Sequence, residues 1–257
     1  MSAAMPQAAL LLIPGMLTHA GIWQAVSARL KQAMGEDLQL LVADVSTQDS
    51  IAAMAQDAWR QLAAQVAPQL PCGVVGFSMG GYVALEMLAH PRRPLQLACL
   101  VSTSARAENP AGAAQREKAI AAFEADFEQA IAATARYGTH PAQRAQLAPL
   151  LEMMREVGPQ VAIRQVRAIM RRRDLGAELA RLALPVQVLC GQDDRITPCV
   201  LSEELAALIP QARLQRVPQA GHMLPFEQPR AVADSLLAQL QLQLLRAPSP
   251  EPDFSQE

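Results

Sequence analysis

Aromatic residues are scarce in this chain of 257, at 4% of the total. Lysine is scarcer: Lys31 and Lys118 are the only two among 22 basic side chains, the rest being arginine. So little aromatic surface argues against a stacking platform for nucleic-acid bases. A formal net charge of −2 supplies no electrostatic footprint for a phosphate backbone. Nucleic acid is therefore not an expected partner. No apolar run approaches the ~18 residues that a membrane span needs. Cys72, Cys99, Cys190 and Cys199 form neither a CxxC pair nor a zinc-ligand pattern, and the histidines cluster with no metal-ligand spacing, so no metal is expected. These cysteines read as reduced and mostly structural, which suits a cytoplasmic address. The opening residues MSAAMPQAA lack a basic segment, and Pro14-Gly15 cuts the apolar stretch Leu10–Ile13 too soon for a signal sequence.

What the chain does have is a globular composition, 51% hydrophobic and 18% charged, at a length that one α/β core can enclose. Short aliphatic runs predict strands at Ala9–Ile13, Leu38–Val45, Gly73–Phe77, Leu95–Thr103, Val186–Cys190 and Arg213–Val217. Amphipathic patterns between them predict helices at Gly21–Met34, Ser50–Ala64, Met79–Ala89, Leu201–Leu208 and Pro229–Leu245. This rhythm implies a mostly parallel, doubly wound sheet of about six strands. Residues 105–184 break it with helical patterns alone, too long a stretch for a loop. They predict a helical lid inserted after the fourth strand, over the ligand crevice. The core is then 1–104 with 185–246, and the Pro-rich acidic tail 247–257 is expected to be mobile.

Gly76-Phe77-Ser78-Met79-Gly80 is G-x-S-x-G between a predicted strand and a predicted helix. A serine at so sharp a turn needs neighbours without side chains two positions away, because the backbones crowd there. Three fixed positions arise by chance in roughly one protein of this size in ten, so the strand–turn–helix setting carries the weight. Gly191-Gln192-Asp193-Asp194 follows one later strand and Ala220-Gly221-His222 follows the next. Ser78, Asp194 and His222 thus each lie just past a strand end, where side chains converge on one crevice. Leu11-Leu12-Ile13-Pro14-Gly15-Met16 closes the first strand and opens into a loop.

On these residues the chain resembles the α/β-hydrolase superfamily, and within it the small cytoplasmic carboxylesterases similar to pimeloyl-acyl-carrier-protein methyl ester esterase. The motifs span Leu11 to His222, in the family order Ser…Asp…His. The resemblance implies Ser78 as nucleophile, His222 as base and Asp194 as its orienting acid, the family pattern Gly-x-x-Asp counting from Gly191 to Asp194 rather than to Asp193. It implies Met16 and Met79 backbone N–H groups as the oxyanion hole, and no cofactor. Two departures stand out. Pro14-Gly15 replaces the usual His-Gly, so a loop-ordering histidine is missing, and the antiparallel hairpin that usually precedes the first strand is not expected, leaving an all-parallel sheet.

The expected reaction is hydrolysis of a small-molecule carboxylic ester through an acyl-enzyme. The alternatives are thioester, carbon–carbon or perhydrolase chemistry on the same residues, and a non-catalytic ligand-binding protein of the same fold. His19 in the first loop is a candidate substrate contact, whereas His90, His140 and the two lysines read as structural or solvated. Arg164, Arg167 and Arg171 recur at i, i+3 and i+7 and share one helical face, with Arg172 and Arg173 extending the cluster. That face is either solvated or docks an acidic partner, an acyl carrier protein being the one the resemblance suggests.

Overall fold

Strand and helix alternate because aliphatic runs of about six residues are separated by longer amphipathic ones. In the computed structural model, which describes residues 6–244, β1 (Ala8–Ile13) leads through a short 3₁₀ turn to α1 (Gln24–Met34), β2 (Leu38–Val42) and α2 (Ile51–Gln65). Then come β3 (Cys72–Phe77), α3 (Met79–Ala89) and β4 (Leu97–Val101). Helices α4 (Pro110–Ala125), α5 (Phe127–Gly138), α6 (Ala148–Met170) and the single turn α7 (Gly176–Leu179) follow before β5 (Val186–Gly191). The chain continues through α8 (Cys199–Leu208), β6 (Ala212–Val217), the single turn α9 (Leu224–Glu227) and α10 (Pro229–Leu244).

Among the described residues all six strands are parallel, in the order β2-β1-β3-β4-β5-β6, which is the expected parallel sheet of about six strands. The period of two sends alternate strand residues to opposite faces. Leu10, Leu12, Val75, Phe77 and Val101 meet α1 and α10 on one face, through Val26, Leu30, Val232 and Leu236. Ala9, Leu11, Ile13, Val74 and Leu100 meet Met54, Leu62, Val83 and Met87 of α2 and α3 on the other. Each such side chain, fully buried, contributes about 1.5–3 kcal/mol relative to exposure.

Two strands are shorter than expected. β2 stops at Val42 because Asp44 turns the chain, its Oδ1 accepting from Ser46 N–H at 2.9 Å while Gln61 Oε1 accepts from Asp44 N–H at 2.8 Å. β4 stops at Val101 because Ser102 has φ 49°, outside the extended region.

The segment between β4 and β5 is helical and locally capped. Asn109 accepts from Gly112 N–H at 2.8 Å with Pro110 at the first position of α4, and Asp126 accepts from Gln129 N–H at 2.9 Å to start α5. Helix α6 is two helices in one: Gly158, at φ 77°, breaks it just before Pro159. Phe123, Ile131, Leu150, Met154 and Val166 are buried in the same apolar cluster as α1 and α10. Among the described residues no helix is long and apolar enough to cross a membrane. The tail 247–257 lies outside the described residues.

Candidate active site

The strand ends supply the site. β3 breaks into α3 at Ser78, whose φ of 52° and ψ of −115° lie where a side chain is strained, at a cost of about 1–3 kcal/mol. The turn is tight enough that a Cβ on Gly76 would run into the Gly80 carbonyl, and one on Gly80 into the Ile13 carbonyl. The strained serine is over-determined by its neighbours. Its N–H donates to Val101 O at 2.9 Å, and its carbonyl accepts from Thr103 Oγ1 and Gly81 N–H, each at 2.9 Å.

Asp194 is buried, with an accessible area of only 5%. Its Oδ1 accepts from the N–H groups of Ile196 and Thr197 at 2.9 and 2.8 Å, and its Oδ2 accepts from Thr197 Oγ1 at 2.8 Å and from His222 Nδ1 at 2.9 Å. An ionised carboxylate can only accept, so Nδ1 carries the ring proton. Nε2 is then left to accept from Ser78 Oγ, 2.9 Å away. Burial pushes the Asp194 carboxyl up, but the charge and hydrogen bond of His222 and the hydrogen bonds from Thr197 outweigh it, and the group is held below the ordinary carboxylate value. Asp193 is exposed and turns away, its nearest basic group being His140 Nε2 at 3.6 Å.

The His222 loop is clamped from below. His222 N–H donates to Gly138 O at 2.7 Å, at the end of α5. Glu227 Oε2 accepts from Gly221 N–H at 2.9 Å and His140 N–H at 2.8 Å, while its Oε1 is buried without a partner. Burial raises the Glu227 carboxyl above its ordinary value, against the pull of those N–H groups. The Phe77 ring packs on His222 with centroids 5.4 Å apart.

Met79 opens α3 directly after Ser78, so its N–H has no intrahelical acceptor, and Met16 lies in the loop that follows β1, the strand beside β3. With Pro14 in place of histidine, this loop is ordered from elsewhere. Leu17 has φ 62°, and its N–H donates to Gln165 Oε1 of α6 at 3.0 Å. Gln165 is 1% exposed. Thr18 Oγ1 donates to Gly15 O at 3.0 Å. His19, singled out as a candidate substrate contact, is tied on both nitrogens: Nδ1 accepts from Gly21 N–H at 3.1 Å and Nε2 pairs with Glu156 Oε2 at 2.6 Å. A cavity of about 400 Å³ lies between this loop and α6, walled by Pro14, Val45, Val157, Val161 and Gln165.

Arg164, Arg167 and Arg171 do share a face, around a depression of about 440 Å³ that also holds Asp49 and Glu124. Arg164 Nη1 donates to Ser46 O at 2.6 Å, whereas Arg167 and Arg171 are exposed. Arg172 and Arg173 do not extend the cluster. Arg172 pairs with Glu108 at 2.7 Å and covers the Tyr82 ring at 4.6 Å, and Arg173 pairs with Glu86 at 2.7 Å. The helix ends at Met170, so helical spacing no longer governs where these two point. Lys31 and Lys118 are exposed, and His90 follows α3 against Arg173. Among the described residues no three His, Cys, Asp or Glu side chains gather as a metal site.

Sequence reasoning missed Thr197, Glu227 and Gln165. Thr197 had an indirect signal, since an aspartate after a strand commonly accepts from backbone N–H groups just downstream and so folds the following residues back onto its carboxylate. The other two had none.

A family model described as "Alpha/beta hydrolase family" matches residues 10–235. The chain is 29% identical over 231 residues to a pimeloyl-[acyl-carrier protein] methyl ester esterase of Nitrosomonas europaea, covering 84% of this chain and 89% of that one. Its fold is similar to a thermophilic esterase from Thermogutta terrifontis, with TM-score 0.80 at 23% identity over 93% of this chain and 92% of that one. It is also similar to a bromoperoxidase from Bacillus anthracis, with TM-score 0.78 at 15% identity over 92% and 93%.

Proposed function

The chain belongs to the alpha/beta hydrolase family, and from that membership we propose that it is a carboxylic-ester hydrolase working through a serine acyl-enzyme. Ser78 Oγ attacks the ester carbonyl as His222 Nε2 takes its proton. Asp194 keeps the imidazole in the Nδ1–H tautomer and stabilises the imidazolium that forms. Met16 and Met79 N–H groups hold the oxyanion, and His222 returns the proton to the leaving alcohol. A water activated by the same imidazole then attacks the acyl-enzyme carbonyl, releasing the acid and Ser78. The helices of residues 105–184 act as a lid that selects the substrate.

One observation carries this reading: the unbroken run from Ser78 Oγ to His222 Nε2, 2.9 Å, and from His222 Nδ1 to Asp194 Oδ2, 2.9 Å, ending on a strained serine. The test is labelling by a fluorophosphonate, mapped by mass spectrometry, with p-nitrophenyl esters from acetate to decanoate to read pocket depth. Labelling at Ser78 with turnover is the expected result. Labelling at another serine overturns the assignment, and a folded protein that neither labels nor turns over is a ligand-binding protein of this fold. The likeness to a bromoperoxidase favours perhydrolase chemistry as the second reading, in which hydrogen peroxide replaces water in attacking the acyl-enzyme carbonyl and releases a peracid and Ser78. Peracid formation from a carboxylic acid and hydrogen peroxide, faster than ester turnover, would establish it.

The relative from Nitrosomonas europaea is named for an acyl-carrier-protein ester. Arg164, Arg167 and Arg171 suit an acidic carrier of that kind, in a cytoplasmic setting. Exposed charge contacts are screened over about 10 Å at 0.1 M salt, so replacing all three with alanine should slow a carrier-linked ester and remove its salt dependence while sparing a small neutral ester. Equal effects on both substrates return the arginines to a solvated face.

A further inference from the structure

Cys190, the next-to-last residue of β5, and Cys199, the first residue of α8, bracket the loop that carries Asp194. Their Sγ atoms are 2.7 Å apart, closer than two non-bonded sulfurs normally sit. Cys199 Sγ also donates to Gly191 O at 3.1 Å, holding the thiol against the end of its partner's strand. A disulfide needs sulfurs about 2.05 Å apart, so the remaining approach is well under an ångström and asks for little backbone movement. Cys72 and Cys99 lie on β3 and β4, are buried, and have no such neighbour.

We propose that Cys190 and Cys199 are a reversible thiol–disulfide site that, when oxidised, closes the base of the Asp194 loop. Cys199 is the only one of the four that is not fully buried, so it meets the oxidant first. With hydrogen peroxide the Cys199 sulfur takes one oxygen as the O–O bond breaks, giving a sulfenic acid and water. The Cys190 sulfur then attacks the Cys199 sulfur, forming the S–S bond and expelling hydroxide, which leaves with the Cys190 proton as a second water. Two thiols have given up two electrons and one peroxide has accepted them. A dithiol reductant restores both. Burial, and after it the neighbouring Cys199, pushes the Cys190 thiol up to about 12, which keeps it protonated at neutral pH and makes the second step the slow, base-favoured one. The bond would close a loop nine positions long around Asp194 and so restrict the unfolded chain more than the folded one.

The test uses the full chain, treated with hydrogen peroxide and digested without reductant. The expected product has lost two hydrogens and yields one linked peptide containing Cys190 and Cys199. Its melting temperature is a few degrees higher, and dithiothreitol reverses both changes. The partly buried position of Cys199 makes Cys199→Ser the safer variant; it should show neither the link nor the shift. Oxygen addition at Cys199 without a link, or a link between chains, would overturn the site. A correct link with no gain in melting temperature would overturn the clamp. Neither measurement depends on ester hydrolysis, so this proposal and the hydrolase reading fail separately.

Discussion

The proposed acid and the proposed oxyanion loop are held in different ways. Asp194 is secured by near neighbours in sequence, Ile196 and Thr197, whereas His222 is held by Glu227 acting through Gly221 and by Gly138 O at the end of α5. The loop carrying Met16 and Leu17 leans on α6 instead, through Gln165 and Glu156, which lie 148 and 137 positions away from their partners. The Asp194 carboxylate is held within its own loop, the Met16–Leu17 loop by the insertion, and His222 by both, through Gly221 and Glu227 on one side and Gly138 on the other. Changes at Gln165 or Glu156 would therefore reach the Met16–Leu17 loop, and changes at Gly138 or His140 would reach His222, while the Asp194 carboxylate keeps its own turn.

Ser78→Ala breaks both halves at once and has the largest expected effect, a loss on the order of 10⁴ to 10⁶ in turnover with the fold retained. Single-turnover rates alongside circular dichroism check it. Next is Asp194→Asn, expected to cost about 10⁴ by favouring the wrong tautomer. Asp193→Asn, at an exposed carboxylate, should change turnover less than twofold or so. A reversed ranking would move the acid to Asp193. At the Met16–Leu17 loop, Gln165→Ala leaves the Leu17 N–H without its acceptor, worth about 1–3 kcal/mol, or roughly 5- to 160-fold if it falls on the transition state. It should lower kcat more than it raises KM. Combined with Asp194→Asn, the two losses should add to within about 0.5 kcal/mol if the halves are independent. Strong coupling would dissolve the distinction.

The smallest effect concerns Glu227 and pH. Its carboxyl is raised on folding, so its contribution to stability is fully present in acid, below the unfolded value, and is lost as pH rises through the folded one. Glu227→Gln keeps an acceptor for Gly221 and His140 and does not titrate. Its melting temperature relative to the parent should therefore climb from pH 4 towards neutrality. A flat difference would show that the N–H groups around Glu227 already balance its burial.

How much of this was legible in the sequence follows from what kind of constraint each feature obeys. The parallel sheet was legible because its central strands β1, β3 and β4 are unbroken apolar runs, and the turn at Ser78 because crowding admits only glycine at two of its neighbours. Asp194 and His222 were marked by their position just past strand ends, and His222 does lie within hydrogen-bond reach of Asp194 on one ring nitrogen and of Ser78 on the other. Gln165 was not legible, since a buried glutamine in a helical pattern carries no sign of a partner 148 positions away. Arg172 and Arg173 misled for a related reason: periodicity assigns a helical face but says nothing of Glu108 and Glu86 arriving from other elements.

The positive φ at Ser78 sets a trap for anyone improving this protein by selection. Glycine at that position would release strain of about 1–3 kcal/mol, more than the roughly 0.4–1 kcal/mol it gives back to the freedom of the unfolded chain. A library sorted on heat resistance alone would thus be drawn towards discarding the hydroxyl, and its best survivors would lack the proposed nucleophile. Any such screen has to score turnover in the same well.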